Sequence, residues 1–317
     1  MIWNERAWDG VPFPELSDDQ LLAICDKHGF GHAAIDRLPS TGVINTIYTL
    51  GDDLVLRVPK PGLLSDTYTE SVAVPVAHAS GVRTPALVAF DDDRDIVDVP
   101  YTVYERVHAG TLAFVDADDG DLVDVYHELG RDIARLHATV TDCPDPDGLL
   151  DDPGRHSTPE VAYETARRGF IGAEHVRFVE RVFAAVEPAL VDARRFRRFV
   201  HDDLQTTNVM ADLDAYAAMI DWGDAGWGDP ALDLCYLPIT AVPHVLAGYR
   251  EVMPIDGEDT IEARVWWDHI WDTLSNLRNR PEPGSIDEFR PGGQLFELLA
   301  FAMTDDGAAF VRRAMGR

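Results

Sequence analysis

A chain of 317 residues, 46% of them hydrophobic, has more material than one typical core and enough to bury it, which predicts two lobes and excludes global disorder. Its 56 Asp plus Glu against 27 Lys plus Arg leave a formal charge of −29, with Lys27 and Lys60 the only lysines, so the surface repels nucleic acid and anionic lipid. The acidity runs through the whole chain, as in proteins kept hydrated by carboxylates in concentrated salt; a halophilic origin is expected, and acidic patches then carry no information about substrate charge. Cys25, Cys143 and Cys235 show neither CxxC nor zinc-site spacing, and no secretory leader or long apolar run is visible, which points to a cytoplasmic protein without a membrane partner.

In chain order, Ser17-Asp18-Asp19-Gln20 has the form of a capping box and predicts a short amphipathic helix stopped at Gly29. Residues 42–50 and 54–58 read as a hairpin across Gly51-Asp52-Asp53. A helix follows over 65–79, then strands at 86–90 and 101–105 split by the acidic turn 91–95. These make a small sheet-based lobe over 1–105. Beyond Gly110 the periodicity becomes helical, most clearly where Val125, Leu129, Ile133, Leu136 and Val140 recur at three or four residues. A loop rich in Pro, Asp and Gly spans 142–159. Helices are predicted at 160–170 and 173–194, a second hairpin around the turn 212–214, and helices again after Pro230. The expected fold class is α+β and two-lobed, with a helical lobe over 106–317.

Two short runs carry the chemistry: His201-Asp202-Asp203-Leu204-Gln205-Thr206-Thr207-Asn208, and Ile220-Asp221-Trp222-Gly223-Asp224. Phosphoryl transfer needs little covalent help from a protein and depends on aligning donor and acceptor while neutralising oxygens. Magnesium takes one or two protein carboxylates, with phosphates and water completing its shell. Asp221, after an apolar strand-like run, suits the main ligand; Asn208 adds a neutral carbonyl oxygen, and Asp203 is left to accept or orient a hydroxyl proton.

These runs resemble the signatures of the aminoglycoside phosphotransferase family, small-molecule relatives of protein kinases: a His-Gly-Asp run, an Asn five residues after the Asp, then Ile-Asp-Trp. The resemblance implies a two-lobed kinase-like fold, a Mg2+-bound ATP or GTP donor and a small-molecule hydroxyl as acceptor. It implies Asp203 as the catalytic Asp, His201 as a brace of its loop, and Asn208 with Asp221 as metal ligands. Ser40-Thr41-Gly42-Val43-Ile44-Asn45 is similar to the nucleotide-covering turn, which brings in Gly42 and Asn45. Arg57 stands where kinases present a lysine to the phosphates, with Lys60 the alternative for that role. Glu70 would pair with Arg57, and Glu105 and Val107 fall on the hinge that binds the base. Gly228-Asp229-Pro230 reads as a structural turn. Asp202 departs from the pattern, standing where the family has glycine. A nucleotide-binding pseudoenzyme of the same fold is the alternative reading.

Overall fold

The computed structural model describes residues 10–31, 34–39, 42–115, 121–150, 158–213, 215–279 and 292–316. Helix α1 (Asp18–His28) opens on the expected box: Ser17 Oγ accepts from the Gln20 N–H at 3.3 Å, and Gln20 Oε1 accepts from the Ser17 N–H at 3.0 Å. Gly29 closes it in the left-handed region, φ 71°. Strands β1 (Ile35–Arg37), β2 (Asn45–Leu50), β3 (Leu54–Pro59), β4 (Leu87–Asp91) and β5 (Tyr101–Glu105) form an antiparallel sheet in the order β1-β2-β3-β5-β4. Strand β1 is not legible in the sequence, since three residues are too few to show alternation; it exists because Ile35 finds Leu50 across the ladder. Leu56, Val58, Tyr101 and Val103 form the sheet's buried face, against which Leu21, Ile24 and Cys25 of α1 pack.

Helix α2 (Ser65–Ala79) spans the residues expected of it. Its Ala73, Val74 and Ala77 belong to the core of the larger lobe, not to that of the sheet. The segment after it is tied to the same lobe. Arg83 donates through its backbone N–H (3.0 Å) and Nε (2.8 Å) to Asp132 Oδ2, its carbonyl accepts from the Met219 N–H (2.9 Å), and Thr84 Oγ1 accepts from Trp222 Nε1 (3.0 Å). The helix that carries Glu70 is thereby fixed to the strand that leads to Asp221.

The larger lobe contains β6 (Gly110–Thr111), α3 (Val123–Thr139), α4 (Glu160–Arg167), α5 (Ala173–Ala193), β7 (Arg198–Val200), β8 (Val209–Asp212), β9 (Ala215–Met219), β10 (Gly226–Gly228), α6 (Val242–Val252), α7 (Ile261–Asn276), α8 (Gly293–Ala302) and α9 (Asp305–Ala314). Helices α3 and α6 approach so closely that a Cβ on Gly130 would lie 2.0 Å from the Val245 carbonyl oxygen, and one on Gly248 would lie 1.9 Å from that of His127. Both positions therefore require glycine for space. The pairs β8–β9 and β7–β10, the second unforeseen from sequence, bracket the loop that begins at His201. Trp266 and Trp267 are buried, Trp267 tilted against Phe183 with ring centroids 4.9 Å apart, so these tryptophans of α7 serve the core. Among the described residues no helix is long and apolar enough to cross a membrane.

Candidate active site

The loop after β7 is organised by two rings of hydrogen bonds. His201 is fully buried; its Nε2 lies 2.9 Å from the Ile220 carbonyl, which can only accept, and its Nδ1 lies 3.3 Å from the Asp203 N–H, which can only donate. The partners assign a neutral imidazole with its proton on Nε2. Burial holds its pKa below the ordinary value against the opposing field of Asp233, so it braces the loop as a neutral ring. The bond to Ile220 also couples the Asp203 loop to the residue preceding Asp221. On the far side of the loop, Asn208 Nδ2 donates to Asp203 Oδ2 at 2.7 Å and to the Asp203 carbonyl at 2.8 Å, and Gln205 Nε2 reaches Oδ2 at 3.3 Å. With its NH2 so engaged, Asn208 has its Oδ1 as the remaining polar end.

Asp202 adopts φ 61°, the left-handed region in which Gly, Asn and Asp are tolerated best. The family's glycine position therefore keeps a glycine-like backbone despite the side chain. What holds it there is Asp233, a residue the sequence reading passed over. Its Oδ1 accepts from the N–H groups of His201 (2.9 Å) and Asp202 (2.8 Å), and its Oδ2 meets His137 Nε2 (2.9 Å), whose Nδ1 is 3.0 Å from the Tyr249 hydroxyl. A sequence signal was present: Asp229 caps the 3-10 turn Pro230–Leu234 by accepting from the Ala231 N–H (3.0 Å), which turns Asp233 back toward the loop. Behind the turn, the fully buried Arg264 pairs with Asp229 and donates to the Asp256 carbonyl at 2.5 Å. Burial, outweighing Arg264, pushes the Asp229 carboxyl up to about 6.

At the lobe junction Arg57 of β3 forks between two carboxylates, donating through Nη1 to Glu70 Oε1 at 2.5 Å and through Nη2 to Asp221 Oδ1 at 2.7 Å. Glu70 Oε2 accepts from the Tyr104 hydroxyl at 2.7 Å. Glu70 is 3% exposed and Asp221 40%, so the pair is closed on one side and open on the other. Burial, reinforced by the Asp221 charge, moves the Glu70 carboxyl up toward about 7 against the pull of Arg57. Burial acts the same way on Asp221, but there Arg57 prevails and the carboxyl lies below its ordinary value. Asp221 also has positive φ, 69°. Two residues on, Gly223 packs on Asp66 of α2: a Cβ there would fall 2.5 Å from Asp66 Cβ. Lys60, the alternative to Arg57, is buried with Nζ 4.0 Å over the Phe13 ring, so Arg57 is the cation that meets Asp221.

The structure thus brings Arg57, Glu70 and Asp221 into one contact set, Asp203 and Asn208 into another, and bridges them through His201. Gly42 lies just before β2 and Asn45 is its first residue, paired across the ladder with Pro59; Ser40 and Thr41 lie outside the described residues. Glu105 ends β5 with its N–H on the Ala86 carbonyl (3.0 Å), and the Arg106 N–H is on the Asp53 carbonyl (2.8 Å); Val107 follows. For a divalent metal, the available donors are the half-exposed Asp221 carboxylate and the Asn208 carbonyl. Such hard oxygens, few in number, fit magnesium, which draws its other ligands from phosphate and water. Among the described residues no three His, Cys, Asp or Glu side chains converge as a metal cage.

A five-stranded small lobe, a helical large lobe and a carboxylate-lined junction define the kinase-like class of phosphotransferases. The profile of the "Phosphotransferase enzyme family" matches residues 37–252, and the chain belongs to that family. No curated protein sequence matches it. Among solved structures it is similar to a choline/ethanolamine kinase family protein from Mesorhizobium loti (17% identity, TM-score 0.64, covering 94% of this chain and 100% of that one). It is similar as well to the GDP complex of aminoglycoside 2'-phosphotransferase-IIIa (18%, TM-score 0.61, 94% and 98%) and to spectinomycin phosphotransferase bound to ADP and spectinomycin (12%, TM-score 0.54, 89% and 95%). At these identities the likeness is one of fold.

Proposed function

We propose that the protein transfers the terminal phosphoryl group of a magnesium-bound ATP or GTP to a hydroxyl of a small molecule. The observation that supports this best is the Arg57 fork, by which the sheet's β3 reaches both Glu70 of α2 and Asp221 of the larger lobe, with Asp203 oriented separately by Asn208. In this reading Arg57, held by Glu70, presents its charge to the nucleotide phosphate. Asp221 and Asn208 would hold the metal, which when bound neutralises the phosphate oxygens. Gly42 and Asn45 cover the phosphates. The Glu105 carbonyl and Val107 N–H meet the base, because the N–H groups of Glu105 and Arg106 are already engaged within the sheet.

The acceptor oxygen attacks phosphorus, the bond to the departing nucleoside diphosphate breaks, and the acceptor's proton passes to Asp203, whose carboxylate Asn208 and Gln205 aim. His201 keeps that loop in place. A small acceptor is favoured over a protein because only residues 222–229 separate Asp221 from Pro230, and 226–228 are committed to β10. The acceptor would rest on the helical lobe; aminoglycosides, macrolides and metabolites such as choline, homoserine or sugars are the candidates.

The test is nucleotide turnover in molar KCl with magnesium against a panel of these acceptors, with Asp203→Asn as control. Acceptor-dependent release of ADP or GDP, abolished by Asp203→Asn while nucleotide binding persists, is expected. Nucleotide binding without turnover by any acceptor would favour the pseudoenzyme.

A further inference from the structure

Resting on the phosphotransferase reading above, we propose that Tyr104 is a positioning residue for the nucleotide, its hydroxyl holding Glu70 in the orientation that presents Arg57 to the phosphates. The ladder pairs Val55 with Tyr104 and Arg57 with Thr102, which puts Tyr104 and Arg57 on one face of the sheet. The Arg57 guanidinium carbon lies 5.9 Å from the Tyr104 ring centroid. Glu70 is gripped at both ends of its carboxylate, Oε1 by Arg57 and Oε2 by the Tyr104 hydroxyl.

A carboxylate held by one donor can rotate about its last bond; held by two, its plane is fixed. Here rotation has a consequence. The negative charge of Asp221 lies on the other arm of Arg57, and a Glu70 freed at Oε2 would loosen its hold on Nη1 and leave the guanidinium to Asp221 alone. Arg57 would then be drawn out of the position from which both of its arms are directed. Because Glu70 is buried, water does not readily replace the missing donor, and the acceptor is left unsatisfied. A phenylalanine fills the same space, so packing alone gives no reason for a buried hydroxyl at this point on β5.

The experiment is a double-mutant cycle of Tyr104→Phe and Glu70→Leu, read by titration with Mg-ATP and Mg-GTP and by steady-state kinetics, with thermal melts to show that each variant is folded. Tyr104→Phe is expected to weaken affinity for the preferred nucleotide about tenfold, at the low end of what losing one hydrogen bond to a buried charge costs. Acceptor KM should stay unchanged, and in the Glu70→Leu background, where no carboxylate remains to be held, the same change should have little further effect. A nucleotide affinity of Tyr104→Phe equal to that of the wild type would overturn the proposal, as would the same tenfold loss in the Glu70→Leu background, which would mean the hydroxyl acts elsewhere. A wild-type protein that binds neither nucleotide would instead refute the phosphotransferase reading, and the role of Tyr104 with it.

Discussion

Removing the Asp233 carboxylate should dismantle the loop that carries Asp203 from below. In Asp233→Ala three donors lose their acceptor at once: the N–H groups of His201 and Asp202, and His137 Nε2, all around a side chain with no exposure. Hydrogen bonds to a buried charge are worth about 1.5–3 kcal/mol each; with water entering the vacated space, the expected loss of stability is about 4 kcal/mol. Asp233→Asn keeps Oδ1 for the two backbone donors and turns an NH2 toward His137, which can answer by moving its proton to Nδ1 and donating to the Tyr249 oxygen. The Asn variant should therefore lose only about 1 kcal/mol. The two N–H groups belong to the residues just before Asp203, so Asp233→Ala should also lower kcat about a hundredfold, the effect of misplacing a reacting group by roughly an ångström. Urea denaturation and turnover at saturating nucleotide measure both. An Asp233→Ala protein destabilised by less than about 1 kcal/mol, or an Asn variant as damaged as the Ala one, would refute the reasoning.

Three other perturbations test neighbouring parts of the site. Asp202→Gly should leave turnover within a few-fold and stability within about 1 kcal/mol, because glycine accepts the observed positive φ without strain; inactivity would show that the carboxylate itself is required. Gly223→Ala should cost about 1–3 kcal/mol and weaken nucleotide binding, since its methyl must displace the start of α2 at Asp66, and an unchanged melting temperature would contradict this. The Asp229 carboxyl lies about two units above its ordinary 3.8, so the folded state binds the extra proton, and the associated stability is complete below pH 4 and lost as pH rises through 6. The wild-type stability curve should accordingly fall by about 3 kcal/mol relative to that of Asp229→Asn between pH 4 and 7, and curves running parallel would count against the raised pKa.

Much of the fold could be read from the chain because local physics writes it there. The Ser17–Gln20 box satisfies its own helix terminus, the three-to-four spacing of Val125, Leu129, Ile133 and Leu136 is the period of one helix face, and 65–79 forms the helix its pattern predicts. The phosphotransferase motifs were legible for a related reason: Asp203 and Asn208 lie five residues apart on one loop, where the amide can reach the carboxylate without help from the rest of the protein. Short strands such as β1, β7 and β10 were not, since their existence depends on a partner and not on their own alternation. The same holds for the chemistry between lobes. Arg57 meets Asp221 through a bond spanning 164 residues of sequence, the Tyr104–Glu70 contact spans 34, and Asp233 reaches back 32 to the His201 N–H. Local spacing determines which residues can share a turn or a face; which buried charge meets which across the lobe junction is decided only when the packed chain has removed the water that would otherwise separate them.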